Sequence, residues 1–123
     1  MKVDELLAQW EDTYKKGLLS FWILLLLYQE EMYAYEMTAV IAEISQGTVI
    51  VDEKSVYRAL KRFEDNQIIQ SSLRKSDVGP PRRYFRLTAL GETLLRRFCQ
   101  RNILVFEEPT VAAAIASLLS SNK

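Results

Sequence analysis

The chain has 123 residues, 49% of them hydrophobic, with 16 basic and 16 acidic side chains, one cysteine and no histidine. That composition suits one compact domain with accessory helices. It excludes disulfide frameworks, zinc sites built on thiolate and imidazole, and most nucleophile–imidazole catalysis, so a reduced, cytoplasmic, non-enzymatic protein without a cofactor is expected.

The net charge of zero hides an asymmetry. Residues 54–101 hold twelve basic and four acidic side chains, a local excess of eight positive charges that the rest of the chain balances. A nucleic acid responds to the local field of a surface, so function is sought in this block.

In chain order, Leu6, Leu7, Trp10 and Tyr14 recur at helical spacing among acids, which predicts an amphipathic leading helix ending near Gly17. The apolar run 18–28, broken only by Ser20, is eleven residues long. A membrane span needs roughly 20, and no secretory cleavage signal follows it, so a buried central helix over 18–29 is expected. Glu30, Glu31 and Met32 read as a turn. Met37, Val40, Ile41 and Ile44 form the stripe of another helix, which Gly47 should stop.

The β-branched stretch 48–51 suits a short strand, and Asp52 offers a cap to a helix over 52–65. In that helix Val56, Leu60 and Phe63 face inward, leaving Lys54, Ser55, Arg58, Lys61 and Arg62 on the other side. Residues 68–74 and 82–88 read as two strands joined by a loop containing Gly79, Pro80 and Pro81. Alternation groups Arg83, Phe85 and Leu87 on one face and Arg82, Tyr84 and Arg86 on the other. Thr88 should cap a further helix lined by Leu90, Leu94, Phe98 and Ile103, with Arg96, Arg97 and Arg101 solvated. After Pro109, the tail carries Val111, Ile115, Leu118 and Leu119 on one stripe; so short a helix needs a partner surface.

The expected architecture is α+β, mainly α: a winged helix-turn-helix with a two-stranded wing and flanking N- and C-terminal helices. Its divisions are 1–16 as accessory helix, 17–106 as DNA-binding domain and 107–123 as a dimerising helix. A duplex major groove admits one α-helix, so Lys54, Ser55, Tyr57 and Arg58 are the expected base-reading residues, with Lys61 and Arg62 on phosphates. In the wing, Arg82 and Arg83 are expected at phosphates or in the minor groove, with Arg74, Lys75 and Arg86 assisting. Leu6 and Trp10, with Val111, Ile115, Leu118 and Leu119, are the expected dimer interface. The aromatics Trp10, Trp22, Tyr28, Tyr33 and Tyr35 are read as core packing rather than a ligand pocket, Cys99 as an inert buried thiol, and no small-molecule effector is indicated.

Three motifs in order carry a family resemblance: MYAYE at 32–36, SVYRALKRFE at 55–64 and GPPRRYFRLTALG at 79–91. Over about residues 18–98 the chain resembles the PadR family of transcriptional regulators and, in length and design, the short PadR-like regulators of the cyanobacterial circadian clock. The resemblance implies a winged-helix DNA-binding domain, usually of a repressor, dimerised by a C-terminal helix. Ala34 stands where the family commonly has glycine, and Asn66-Gln67 replaces a usual glycine turn. The alternative is an interaction module that docks an acidic protein on the same scaffold. A membrane-surface role is set aside because the basic residues lack an exposed apolar face on the same helix.

Overall fold

The computed structural model describes residues 2–121. Helix α1 (Lys2–Lys16) leads into α2 (Leu19–Gln29), followed by the two-residue strand β1 (Met32–Tyr33) and α3 (Ala34–Ile44). Helix α4 (Glu53–Asp65) precedes strands β2 (Ile69–Arg74) and β3 (Arg82–Leu87), then α5 (Ala89–Asn102), a single 3-10 turn (Leu104–Glu107) and α6 (Pro109–Ser120). Among the described residues no single helix is long and apolar enough to cross a membrane.

The core forms where the helical stripes converge on the sheet. Ile23, Leu26 and Leu27 of α2, Met37 and Ile41 of α3, and Val56, Leu60 and Phe63 of α4 pack with Ile69, Phe85 and Leu95. Apolar burial on this scale is the main drive for folding. Helices α1 and α6 contribute no buried residue.

The wing belongs to a three-stranded antiparallel sheet ordered β1-β3-β2. The expected turn at residues 30–32 therefore ends in a strand: Met32 pairs with Phe85 and Tyr33 with Tyr84. A two-residue strand has no periodicity of its own and exists only because β3 supplies its partner. The strand expected at 48–51 is absent. There the chain bends at Thr48 and is tied down by side chains instead, with the buried Ser45 hydroxyl accepting the Val49 N–H at 3.0 Å and Thr48 Oγ1 donating to the Ser45 carbonyl at 2.8 Å.

Two further expectations change. In α5 the buried residues are Gly91 and Leu95, with Phe98 and Cys99 half-buried, whereas Leu90 and Leu94 are exposed. The docked face is rotated from the expected one because the helix is drawn in at Gly91, whose missing side chain permits backbone contact. Trp10, Tyr28 and Tyr35 are 74%, 57% and 65% exposed, so core packing does not account for them. Of the five aromatics, only Trp22 and Tyr33 are half-buried, and the Trp22 indole N–H has no hydrogen-bond partner.

Candidate nucleic-acid interface

Helix α4 begins where the sequence places it. Asp52 Oδ1 accepts the Ser55 N–H at 3.1 Å, satisfying a donor that the first turn would otherwise leave free. This hydrogen bonding with Ser55 lowers the Asp52 pKa, and the Arg58 charge adds to the effect. The turn that ends α3 uses left-handed backbone at Gln46 (φ 57°) and Gly47 (φ 78°).

With Val56, Ala59, Leu60 and Phe63 buried, the opposite face of α4 is left to solvent. Lys54, Tyr57, Arg58, Lys61 and Arg62 are exposed along it, and Ser55 is half-buried. Lys61 has a carboxylate neighbour, Asp65, at 3.6 Å. Such an exposed pair is weak. Helix α1 stands beside this face without covering it. A cleft of about 970 Å³ separates them, walled by Glu11, Asp12 and Lys15 on one side and Ser55, Arg58 and Arg62 on the other, and Lys15 Nζ donates to the Thr48 carbonyl.

The wing is joined to the end of α4 by a polar relay. Ser71 Oγ donates to Glu64 Oε2 at 2.6 Å and accepts from Arg83 at 3.1 Å. Arg82 and Arg83, adjacent in sequence, point to opposite faces of the sheet: Arg83 lies on the side of the buried Phe85, and Arg82 on the outer side with Tyr84 and Arg86. Lys75 and Arg86 are exposed, while Arg74 is ion-paired with Glu31. The structure thus brings the α4 cations and the wing cations onto one support. Arg96, Arg97 and Arg101 lie on α5, all exposed, with Arg96 paired to Glu92 at 2.8 Å.

The sequence reading missed the residues that position these cations, namely Glu31, Tyr33, Glu64, Ser71 and Tyr84. Alternation does place Tyr84 on the Arg82 face, but the pairing of Tyr33 with Tyr84 depends on a long-range register that no local pattern displays.

The turn between α4 and β2 also departs from the family pattern in a specific way. The left-handed residue is Gln67 (φ 62°), not Asn66, whose φ is −94°. A side chain longer than asparagine thus occupies the strained position.

Residues 23–97 match the model of the transcriptional regulator PadR-like family. The chain belongs to that family. A PadR-like transcriptional regulator from Bacillus cereus is 32% identical to it, with 85% of this chain and 93% of that one covered at a TM-score of 0.63. A transcriptional regulator from Clostridium thermocellum is 25% identical over 77% of this chain and 89% of that one, at a TM-score of 0.68. Bacillus subtilis PadR in complex with operator DNA shares the fold at 22% identity, covering 66% of this chain and 46% of that one at a TM-score of 0.61. The PadR-like segment takes in α4 and the whole wing, so the surface described above lies inside the family domain. None of these likenesses supports the narrower resemblance to circadian-clock regulators.

Proposed function

We propose that the chain is a sequence-specific, duplex-DNA-binding transcriptional regulator, acting in the cytoplasm as a homodimer and repressing by occupation of a promoter. The observation that carries this reading is the exposed cationic face of α4 beside an arginine-bearing wing, on one support within a PadR-like chain. Lys54, Ser55, Tyr57 and Arg58 at the start of α4 address base edges, and Lys61 and Arg62 grip phosphates. Arg82 and Arg83, helped by Lys75 and Arg86, add phosphate or minor-groove contacts from the wing.

Dimerisation is supported by apolar surface that the single chain leaves open. Leu6, Trp10, Ile115, Leu118 and Leu119 are all exposed, and Val111 is half-buried. A helix as short as α6 is marginal without a surface to pack on. A second copy covering these stripes would place two α4 helices in successive major grooves, about 34–36 Å apart, at an inverted repeat.

The test is selection of bound duplexes from genomic fragments, followed by titration of the enriched duplex against salt. An inverted repeat whose affinity falls steeply with ionic strength is expected. Failure to enrich any duplex at moderate salt overturns the proposal and leaves the acidic-protein docking module.

A further inference from the structure

Arg74 and Arg82 stand directly opposite one another across the β2–β3 ladder. Like charges in that position repel unless each finds a partner of its own. Their partners are unlike. Arg74 lies with its Cζ 4.6 Å from the centre of the Tyr84 ring and is ion-paired with Glu31, just before β1. Arg82 lies with its Cζ 4.5 Å from the centre of the Tyr33 ring and donates to the Tyr33 hydroxyl at 3.0 Å. Among the described residues, the carboxylate pairings include Arg74 but not Arg82.

The two tyrosines are themselves cross-strand partners, set edge to face with ring centres 5.4 Å apart, and Tyr35 lies nearly parallel to Tyr33 with ring centres 6.5 Å apart. A guanidinium resting on an aromatic face keeps its positive charge and most of its N–H donors available to an outside anion. One paired with a carboxylate stays charged, but the carboxylate offsets that charge locally and occupies a donor that a phosphate would otherwise take. The two facing arginines, equal in sequence, are therefore unequal as phosphate ligands.

We propose that Glu31 and Tyr33 are positioning residues that decide which arginine of the wing DNA engages: Tyr33 presents Arg82, and Glu31 withholds Arg74. The inference rests on the DNA-binding reading above and concerns one charge within it. Glu31 then acts as a built-in limit on affinity. Because the pair is exposed it is a weak restraint, so its effect is a few-fold adjustment in each half of the dimer and not an on–off switch.

The experiment measures affinity of the full chain for a mixed-sequence duplex long enough to span two half-sites, between about 50 and about 200 mM salt. Over that range each phosphate contact contributes about 3.5-fold to the loss of affinity, so a residue that makes the contact in both halves of the dimer contributes about 12-fold. Arg82→Gln should shrink the loss by that factor, whereas Arg74→Gln should leave it unchanged. Glu31→Gln should enlarge it by the same factor, and the double variant Glu31→Gln/Arg74→Gln should return it to the wild-type value. Tyr33→Leu should reproduce Arg82→Gln, and Tyr33→Phe, which keeps the ring, should restore most of the wild-type dependence. Thermal unfolding run in parallel identifies any variant whose fold has changed, and the exposed Glu31 and Arg74 substitutions carry the test independently of Tyr33. The proposal is overturned if Arg74→Gln flattens the salt dependence as much as Arg82→Gln, or if Glu31→Gln leaves it unaltered while the wild type binds. A wild type with no salt-dependent duplex binding overturns the DNA reading itself, and this inference with it.

Discussion

A Cβ at position 91 would lie 2.1 Å from the Ile68 carbonyl oxygen, so the start of α5 and the base of the wing meet backbone to backbone at Gly91. The same carbonyl accepts the Thr88 N–H at 3.0 Å and the Thr88 hydroxyl at 2.9 Å, while that hydroxyl accepts the Gly91 N–H at 3.0 Å. Cap, strand end and helix are locked at one point, and the wing's attitude to the body depends on it. Gly91→Ala should therefore destabilise the protein by about 3 kcal/mol in urea unfolding, because neither backbone can retreat. Helix preference alone predicts a gain of about 1 kcal/mol, so the sign of the change decides between the two effects.

The neighbouring turn offers the opposite case. Gln67 holds a left-handed backbone at φ 62°, a conformation that costs a residue with a Cβ about 1 kcal/mol or more. Gln67→Gly should raise stability by up to about 1 kcal/mol, the relief of strain exceeding the extra chain entropy lost on folding. A fall in the unfolding midpoint would show that the Gln67 side chain contributes packing that outweighs its strain.

Asp52 links α4 to pH. Hydrogen bonding with Ser55 lowers its folded-state pKa below the unfolded value, so the unfolded chain takes up this proton first as pH falls. The contribution of the cap is thus complete above the ordinary aspartate pKa and is lost as pH drops through the folded one. Asp52→Ala should lower Tm near neutral pH, with the gap to wild type closing in acid. A gap independent of pH would mean that the carboxylate is not the capping group.

Substitutions on α4 and in the wing should separate two kinds of contact. Arg58→Ala should cost about 1–3 kcal/mol on the preferred duplex and narrow the gap to other sequences, as expected for a base contact. Arg83→Ala should weaken all duplexes about equally and reduce the salt dependence. Equal loss of discrimination from both would require a wing that reads bases.

Removal of residues 109–123 takes away α6 with the stripe of Ile115, Leu118 and Leu119. Monomers are the expected result in multi-angle light scattering, with the far-ultraviolet circular dichroism of the remaining helices retained, since α6 buries no residue of its own in the single chain. A truncated chain that still dimerises would move the interface to α1 and the exposed Leu90 and Leu94 of α5.

Most helices were legible in the sequence because their signals are local. The cap at Asp52, the stop at Gly47, the loop prolines and the apolar stripe of α4 each act within a few residues. Residues 48–51 misled for a related reason. Four β-branched residues favour extended backbone, but a strand also needs a free edge to pair with, and this segment is held by Ser45 and Thr48 instead. The exposed Trp10 and Tyr35 misled because helical spacing of aromatics signals a face without saying whether the same chain covers it.

Local periodicity and charge by themselves determined that this chain builds a cationic helix beside an arginine-bearing wing, because capping, side-chain alternation and charge spacing operate over a few residues. Only the tertiary structure decided which of those cations are held and which are offered. The register that sets Tyr33 against Tyr84, the approach of Glu31 to Arg74 and the close passage of Gly91 over Ile68 are contacts between segments distant in the chain. Packing of the whole core brings them together, and no local pattern encodes them.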